Sequence, residues 1–378
     1  MQVFHTSPWV PPEWIKAHGL EPRGVWLAQD FACEPLPLAA GVCAFANAAV
    51  RLAEQQNQSA MIFTTHCDQL RRGFDAVATP PTNLDAPESY RRFPLSPSDS
   101  PRCRAVAAGG ERAGVRGPSS PVVSGPQCAP KGRGFLSRLF LFNLPVTWQT
   151  PVAERIFCDE LRRLGQFLIG LGGHAPTTGD LVEIMAQYSE ARRRLLAAAP
   201  WCPARAYAEA VARFHLDGSV HLPPEAGDRT ASGANSVPLA LVGGPLPQSQ
   251  MPLLDAIEKA GGRVVLNATE AGERSLWPAS PLGQAQLDLA RLARGWLANC
   301  VDVFQRPNTR LYDWLRERLT ARKVRGIVLW HYVGCDLWRA EAQPMRAAFG
   351  LPVLLLDADE AMPQRNTGRL EAFLESLR

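Results

Sequence analysis

Twice along the chain an apolar, strand-like run passes into Cys-Asp-x-x-Arg. Met61-Ile62-Phe63-Thr64-Thr65-His66 leads to Cys67-Asp68-Gln69-Leu70-Arg71, and Ile327-Val328-Leu329-Trp330 leads, after a short gap, to Cys335-Asp336-Leu337-Trp338-Arg339. A buried strand that gives way to a helix start is the unit of a parallel α/β sheet, and open α/β sheets bind ligands outside the carboxyl ends of their strands. The recurrence therefore predicts two α/β units, each with a cysteine at the ligand-binding end of a strand, and the two cysteines could face one shared site. The aspartate after each cysteine is expected to cap the following helix. Helix N-termini at such a site direct backbone N–H groups and partial positive charge at something anionic, such as a thiolate-ligated iron cluster.

The rest of the chain supplies the alternation such a sheet needs. Residues 24–28 read as a short strand, Gly41-Val42-Cys43 opens a helix running to about Glu54, and residues 60–65 form a second strand. A helix from Asp68 to Ala76 follows, and the continuous apolar run 138–143 reads as a third strand buried on both faces. Amphipathic helices are predicted over about 151–171, 178–198 and 203–216. Beyond a Gly/Ser/Pro-rich break the alternation returns: strands at 237–242, 263–266, 325–330 and 352–356, with helices at about 250–260, 283–298, 308–322, 338–348 and 367–377. The expected fold is α/β, two Rossmann-like (flavodoxin-like) parallel-sheet lobes joined by a helical connector. The lobes are placed at 1–150 and 236–378, with the connector at 151–235. Residues 77–134, dominated by Pro, Ser, Gly and Arg with no apolar periodicity, are read as a disordered insertion.

Composition narrows the function. Forty basic against 36 acidic residues give a net charge of +4 without a basic stripe, so nucleic-acid binding is not indicated. No apolar run reaches the roughly 18–20 residues of a membrane helix, and the N-terminus lacks a secretory leader pattern, so a cytoplasmic protein is expected. Nine cysteines, an odd number scattered over a long chain, argue for reduced thiols or metal ligation over a disulfide framework. Neither a Walker-type P-loop nor G-x-G-x-x-G occurs in the turns that would form the cleft, so ATP chemistry would belong to a partner.

Several segments together resemble the family of 2-hydroxyacyl-CoA dehydratase D-components, which also includes benzoyl-CoA reductase subunits. They are Gly41-Val42-Cys43-Ala44-Phe45-Ala46, Thr65-His66-Cys67-Asp68-Gln69-Leu70-Arg71-Arg72, Asn143-Leu144-Pro145-Val146-Thr147-Trp148 and Glu160-Leu161-Arg162-Arg163-Leu164-Gly165. Gly243-Gly244-Pro245-Leu246-Pro247, Gly334-Cys335-Asp336 and the closing Arg369-Leu370-Glu371-Ala372-Phe373-Leu374-Glu375 complete the set. The resemblance implies a 4Fe-4S cluster held between the lobes by three cysteines, carried over as Cys43, Cys67 and Cys335, with one iron open to substrate oxygen or water. It implies removal of water from a 2-hydroxyacyl-CoA thioester by a ketyl-radical route, beside a paralogous dehydratase subunit and an ATP-dependent activator protein. Two other functions stay open: an electron-transfer or reductase component of a benzoyl-CoA-reductase-like complex, and a cluster-free α/β binding module. The chain departs from the family at 267–274, where many members carry a cysteine before Gly-Glu-Arg and this one has none, and at the 77–134 insertion.

Other residues carry both a functional and a plainer reading. Cys33 is the rival of Cys43 as first-lobe ligand. Cys103 and Cys128 fall in the insertion, and Cys158, Cys202 and Cys300 are expected to pack. His66 and His331 flank the expected cleft as weak catalytic candidates that would donate a hydrogen bond to a thioester oxygen, or they are satisfied core histidines. Arg71 and Arg339 either neutralise cluster or CoA phosphate charge or form surface ion pairs. Gly243-Gly244-Pro245 either lets a ligand approach closely or turns the chain. Trp148, Trp330 and Trp338 are expected to keep water from the cluster.

Overall fold

Eight strands pair into two four-stranded, all-parallel sheets in a computed structural model that describes residues 1–27, 42–56, 58–78, 137–224, 236–277, 289–358 and 364–378. Strands β1 (Gln2–His5), β2 (Glu21–Gly24), β3 (Ala60–Thr64) and β4 (Leu139–Phe142) lie in the order β2-β1-β3-β4. Strands β5 (Val237–Gly243), β6 (Gly262–Ala268), β7 (Gly326–His331) and β8 (Val353–Asp357) lie in the order β6-β5-β7-β8. Counted within its own sheet, each lobe reads 2-1-3-4, the start of the flavodoxin-like order. The fold is α/β with two Rossmann-like lobes, as the alternation predicts. In each, the strand order reverses between the first and third strands, the topological switch point where such sheets bind ligands. Cys67 follows β3 and Cys335 follows β7, so both Cys-Asp motifs close the third strand of a lobe.

The first lobe also contains α1 (Pro12–Ala17), α2 (Ala44–Gln55) and α3 (Asp68–Ala78). Three longer helices follow β4: α4 (Pro151–Gly170), α5 (Thr178–Ala198) and α6 (Ala204–Asp217). Their ends obey local chemistry. The Thr150 and Thr177 hydroxyls accept the N–H groups of Ala153 and Asp180, and α6 stops at Gly218, whose φ of 79° is the left-handed turn glycine adopts freely. The second lobe contributes α7 (Pro252–Lys259), α8 (Leu289–Asn299), α9 (Thr309–Ala321), α10 (Asp336–Ala340), α11 (Ala342–Phe349) and α12 (Gln364–Ser376).

Four local expectations need correction. The strand expected at 24–28 is a 3-10 turn over Val25–Leu27, and the strand itself lies earlier, at Glu21–Gly24, paired with the unanticipated β1. These strands are four residues each, and Pro22 is tolerated because β2 is an edge. Strand β4 is also an edge and alternates half-buried Leu139 and Leu141 with buried Phe140 and Phe142, so it is not covered on both faces. The helix expected at 338–348 is two short helices meeting at Glu341, whose carboxylate accepts hydrogen bonds from Asn308 Nδ2 at 2.9 Å and from the Tyr312 hydroxyl. Val77 and Ala78 continue α3. The remainder of the expected insertion, together with Cys33, Cys103 and Cys128, lies outside the described residues.

One apolar cluster crosses both lobes. It runs from Phe4, Met61 and Phe63 of the first sheet through Phe45, Ala49 and Leu52 of α2 to Leu239, Leu241, Val328 and Trp330 of the second. Burial of this kind contributes about 25 cal/mol per Å² of apolar surface, so the lobes are held by a shared core as well as by the chain that links them.

Candidate functional site: a cavity lined by three cysteines

Cys43, Cys67 and Cys335 occupy the same position in three different helices. Each carbonyl accepts the first helical bond, from Asn47 N–H at 3.0 Å, Arg71 N–H at 3.1 Å and Arg339 N–H at 3.2 Å respectively. Each is thus the residue that caps a helix N-terminus, and the aspartates expected in that role, Asp68 and Asp336, stand one place inside. The sulfurs meet backbone donors: Ala46 N–H lies 3.4 Å from Cys43 Sγ, the N–H groups of Leu70 and Gln69 favour ionisation of Cys67, and that of Trp338 does the same for Cys335. At Cys43 the serine-like geometry of an N-cap is used by sulfur.

The three cysteines line one cavity between the lobes, together with His66, Glu270, Asp302, Tyr332 and Trp338. It is small, about 40 Å³, a few times the roughly 10–15 Å³ that admits one water, and so suits a compact group better than a nucleotide. The wall is tied across the lobes. Gln69 Oε1 accepts the Cys43 N–H at 2.8 Å, its side chain comes within 3.9 Å of a Cβ placed on Gly334, and the rings of Phe45 and Tyr332 lie 6.0 Å apart.

Burial dominates the electrostatics. It pushes the Cys67 thiol up to about 12, with the neighbouring Cys335 adding to the shift, and the Cys335 thiol up to about 11. It also pushes the Glu270 carboxyl up to about 8 against the pull of Arg274, and the His66 ring down to about 4. His66 Nδ1 lies 2.7 Å from Thr64 Oγ1. Behind the cavity wall, Arg274 is buried and shared. It donates to Ala268 O and Gly243 O at 3.0 Å each, to Val301 O at 3.4 Å and to the Asp302 carboxylate, and its guanidinium lies 5.0 Å from the Trp338 ring.

Among the described residues no group of three or more His, Cys, Asp or Glu is gathered tightly enough to hold a metal ion. A cubane asks for wider spacing, since Fe–S bonds near 2.3 Å leave its ligand sulfurs about 6–7 Å apart. The donor set fits such a group in kind: three thiols from two lobes, each with a helix N-terminus behind it, in a compact and largely apolar cavity.

The other expected site residues fall elsewhere. His331 is absent from the cavity lining; its Nδ1 lies 3.0 Å from Tyr332 O and its Nε2 2.9 Å from Asp357 Oδ1. Arg71 makes an exposed pair with Asp68 at 3.8 Å, and Arg339 is exposed. Trp338 lines the cavity, Trp330 is a fully buried residue of β7, and Trp148 donates to Pro307 O at 2.9 Å away from the cavity. Cys158 and Cys300 are buried in the core beside α4 and α8, whereas Cys202 is half-buried. Glu270, Arg274 and Asp302 were not among the residues the sequence singles out. The one signal was charge crowded around Gly272 directly after a strand.

Fold and site define a two-lobed α/β protein with a thiol-lined cavity at the switch points of both lobes. The family model for 2-hydroxyglutaryl-CoA dehydratase, D-component, matches residues 132–377, about two thirds of the chain. The chain belongs to that family, and is thereby related to a component of a dehydratase. Cys335 and Glu270 lie within the matched span; Cys43 and Cys67 precede it. No curated protein gives a match. Among the described residues, no helix is long and apolar enough to cross a membrane.

Proposed function

We propose that this chain is the iron–sulfur subunit of a 2-hydroxyacyl-CoA dehydratase, which removes water from a 2-hydroxyacyl-CoA thioester by a ketyl-radical route. Cys43, Cys67 and Cys335 hold a 4Fe-4S cluster and leave one iron without a thiolate. The observation that carries the reading is the lining of one interlobe cavity by three helix-capping cysteines in a member of the D-component family. When bound, the cluster supplies low-potential electron transfer and a Lewis-acidic iron.

The chain's own residues do the rest. Backbone N–H groups at three helix starts stabilise anionic sulfur, and Phe45, Leu70, Val303 and Trp338 exclude water. His66 lines the cavity, burial holds its ring below the ordinary histidine range, and it would donate a hydrogen bond to a thioester oxygen there. A paralogous subunit and an ATP-dependent activator complete the system, which agrees with the lack of a P-loop in the cleft-forming turns. Retention of free thiols on Cys67 and Cys335 agrees with a cytoplasmic setting.

The test is a titration of the anaerobically reconstituted chain with 2-hydroxyacyl-CoA, read in the visible and electron paramagnetic resonance spectra. A saturable change on this chain alone is the expected result. A cluster spectrum indifferent to the thioester points instead to an electron-transfer component whose partner holds the acyl group.

A further inference from the structure

Besides the three thiols the cavity is lined by His66, Asp302 and Glu270, and of these Glu270 has a buried oxygen without a hydrogen-bond partner among the described residues. Glu270 follows β6, is only 2% exposed and lines the same wall as the three cysteines. Its Oε1 stands 3.8 Å from Arg274, but that guanidinium is committed to Asp302 and to three carbonyls. Its Oε2 has no hydrogen-bond partner among the described residues. A buried carboxyl oxygen without a partner destabilises a fold, and Arg274 does not require it as a counter-charge because Asp302 already fills that place. Glu270 lines the same cavity as Cys67 and Cys335.

We propose that Glu270 is the fourth protein ligand of the group held by Cys43, Cys67 and Cys335, giving a set of three thiolates and one carboxylate. The inference rests on the iron–sulfur reading and adds a ligand to it. A tetranuclear cubane has four iron corners, and Glu270 brings an oxygen to the one the cysteines leave. On binding, the carboxyl loses its proton to solvent and gains the metal as counter-charge, which removes the penalty of its burial. Oxygen is a harder donor than thiolate and binds cluster iron less tightly, so this corner exchanges while the other three hold. Glu270 would cover the corner at rest and yield it to a substrate oxygen, with Arg274 3.8 Å behind it.

The experiment uses the full chain as wild type, Glu270→Gln and Glu270→Cys. Melting of the cluster-free proteins is read first. Glu270→Gln is expected to melt no more than about 3 °C below wild type, and a larger fall marks a structural residue and overturns the proposal. Each protein is then reconstituted anaerobically with iron and sulfide, and iron content, Mössbauer spectrum and cyanide affinity are measured. Wild type is expected to take up about four irons with one distinct subsite. Glu270→Gln should shift that subsite and bind cyanide at least about tenfold more tightly, because an amide holds iron less well than a carboxylate. Glu270→Cys should give four thiolate-bound irons and no response to cyanide. A Glu270→Gln protein that folds but fails to load also supports ligation. Loaded Glu270→Gln with the wild-type subsite and cyanide affinity overturns the carboxylate ligand and leaves the iron–sulfur reading intact, whereas wild type that takes up no iron overturns both.

Discussion

Arg274 shows how much one buried charge can organise. Its guanidinium joins the ends of β5 and β6 to the loop after α8, and both it and Asp302 are almost wholly enclosed. A charge taken so far from water is stable only while its partner is present, so Asp302→Ala should lower unfolding stability by about 3–5 kcal/mol. Urea denaturation of the cluster-free protein measures this, and a loss under about 1 kcal/mol would show that water or the carbonyls compensate. Cys67 and Cys335 are legible because each follows an apolar run and starts a helix, whereas Cys43 opens a helix and is singled out only by the family resemblance. Glu270, Arg274 and Asp302 are not legible. Their roles come from burial and from contacts between residues 28 positions apart, as in the Arg274–Asp302 pair, which no local pattern encodes.

At the scale of elements, Gly243 decides how the second sheet meets the cavity. It has a φ of 150°, outside the range most side chains accept, and a Cβ there would overlap the Trp330 carbonyl oxygen. Gly244 donates to that same carbonyl at 3.2 Å, and the Gly243 carbonyl accepts from Arg274. Of the two meanings open to Gly243-Gly244-Pro245, the close approach is between strands of the same sheet, while Pro245 lines the cavity. Gly243→Ala should cost more than about 2 kcal/mol, because the obstacle is backbone and has no rotamer to change. A variant with the wild-type denaturation midpoint would refute this. Strands β3, β5 and β7 were readable as long buried runs, since inner strands of parallel sheets are apolar throughout. Strands β1 and β2 were not, because four-residue strands with Pro22 at an edge carry little periodicity, and Val25–Leu27 of the apolar run form a 3-10 turn packed on α6.

At the scale of the molecule, buried histidines set the acid limit, His66 at the cavity and two between lobe and helix. His5 at the end of β1 and His215 on α6 both contact Trp26, at ring separations of 5.8 and 5.1 Å. Burial lowers His5 to about 4 and His215 well below its ordinary value. Because the unfolded chain takes up these protons first, stability is complete above about pH 6.5 and falls as pH drops towards 4, by roughly 3 kcal/mol for His5 alone. Glu270 acts in the opposite sense: raised to about 8, it keeps its proton when folded, so stability of the cluster-free protein declines as pH rises from 4.5 to 8. The cluster-free chain should therefore be most stable near about pH 6.5, and Glu270→Gln should flatten only the alkaline side. Denaturation midpoints at three pH values decide this, and a level profile would contradict it.

Two like lobes bring their third-strand cysteines together with the cap of α2 in one cavity, which is proposed to hold a cluster. Iron and acid-labile sulfide per chain, measured after anaerobic reconstitution of the wild type and of Cys43→Ala, Cys67→Ala and Cys335→Ala, test that claim most directly. Wild type should carry about four irons, and each substitution should cut the content sharply, Cys335→Ala as much as the two first-lobe variants. A colourless, iron-poor wild type, or a Cys335→Ala protein that keeps its full complement, would contradict the account.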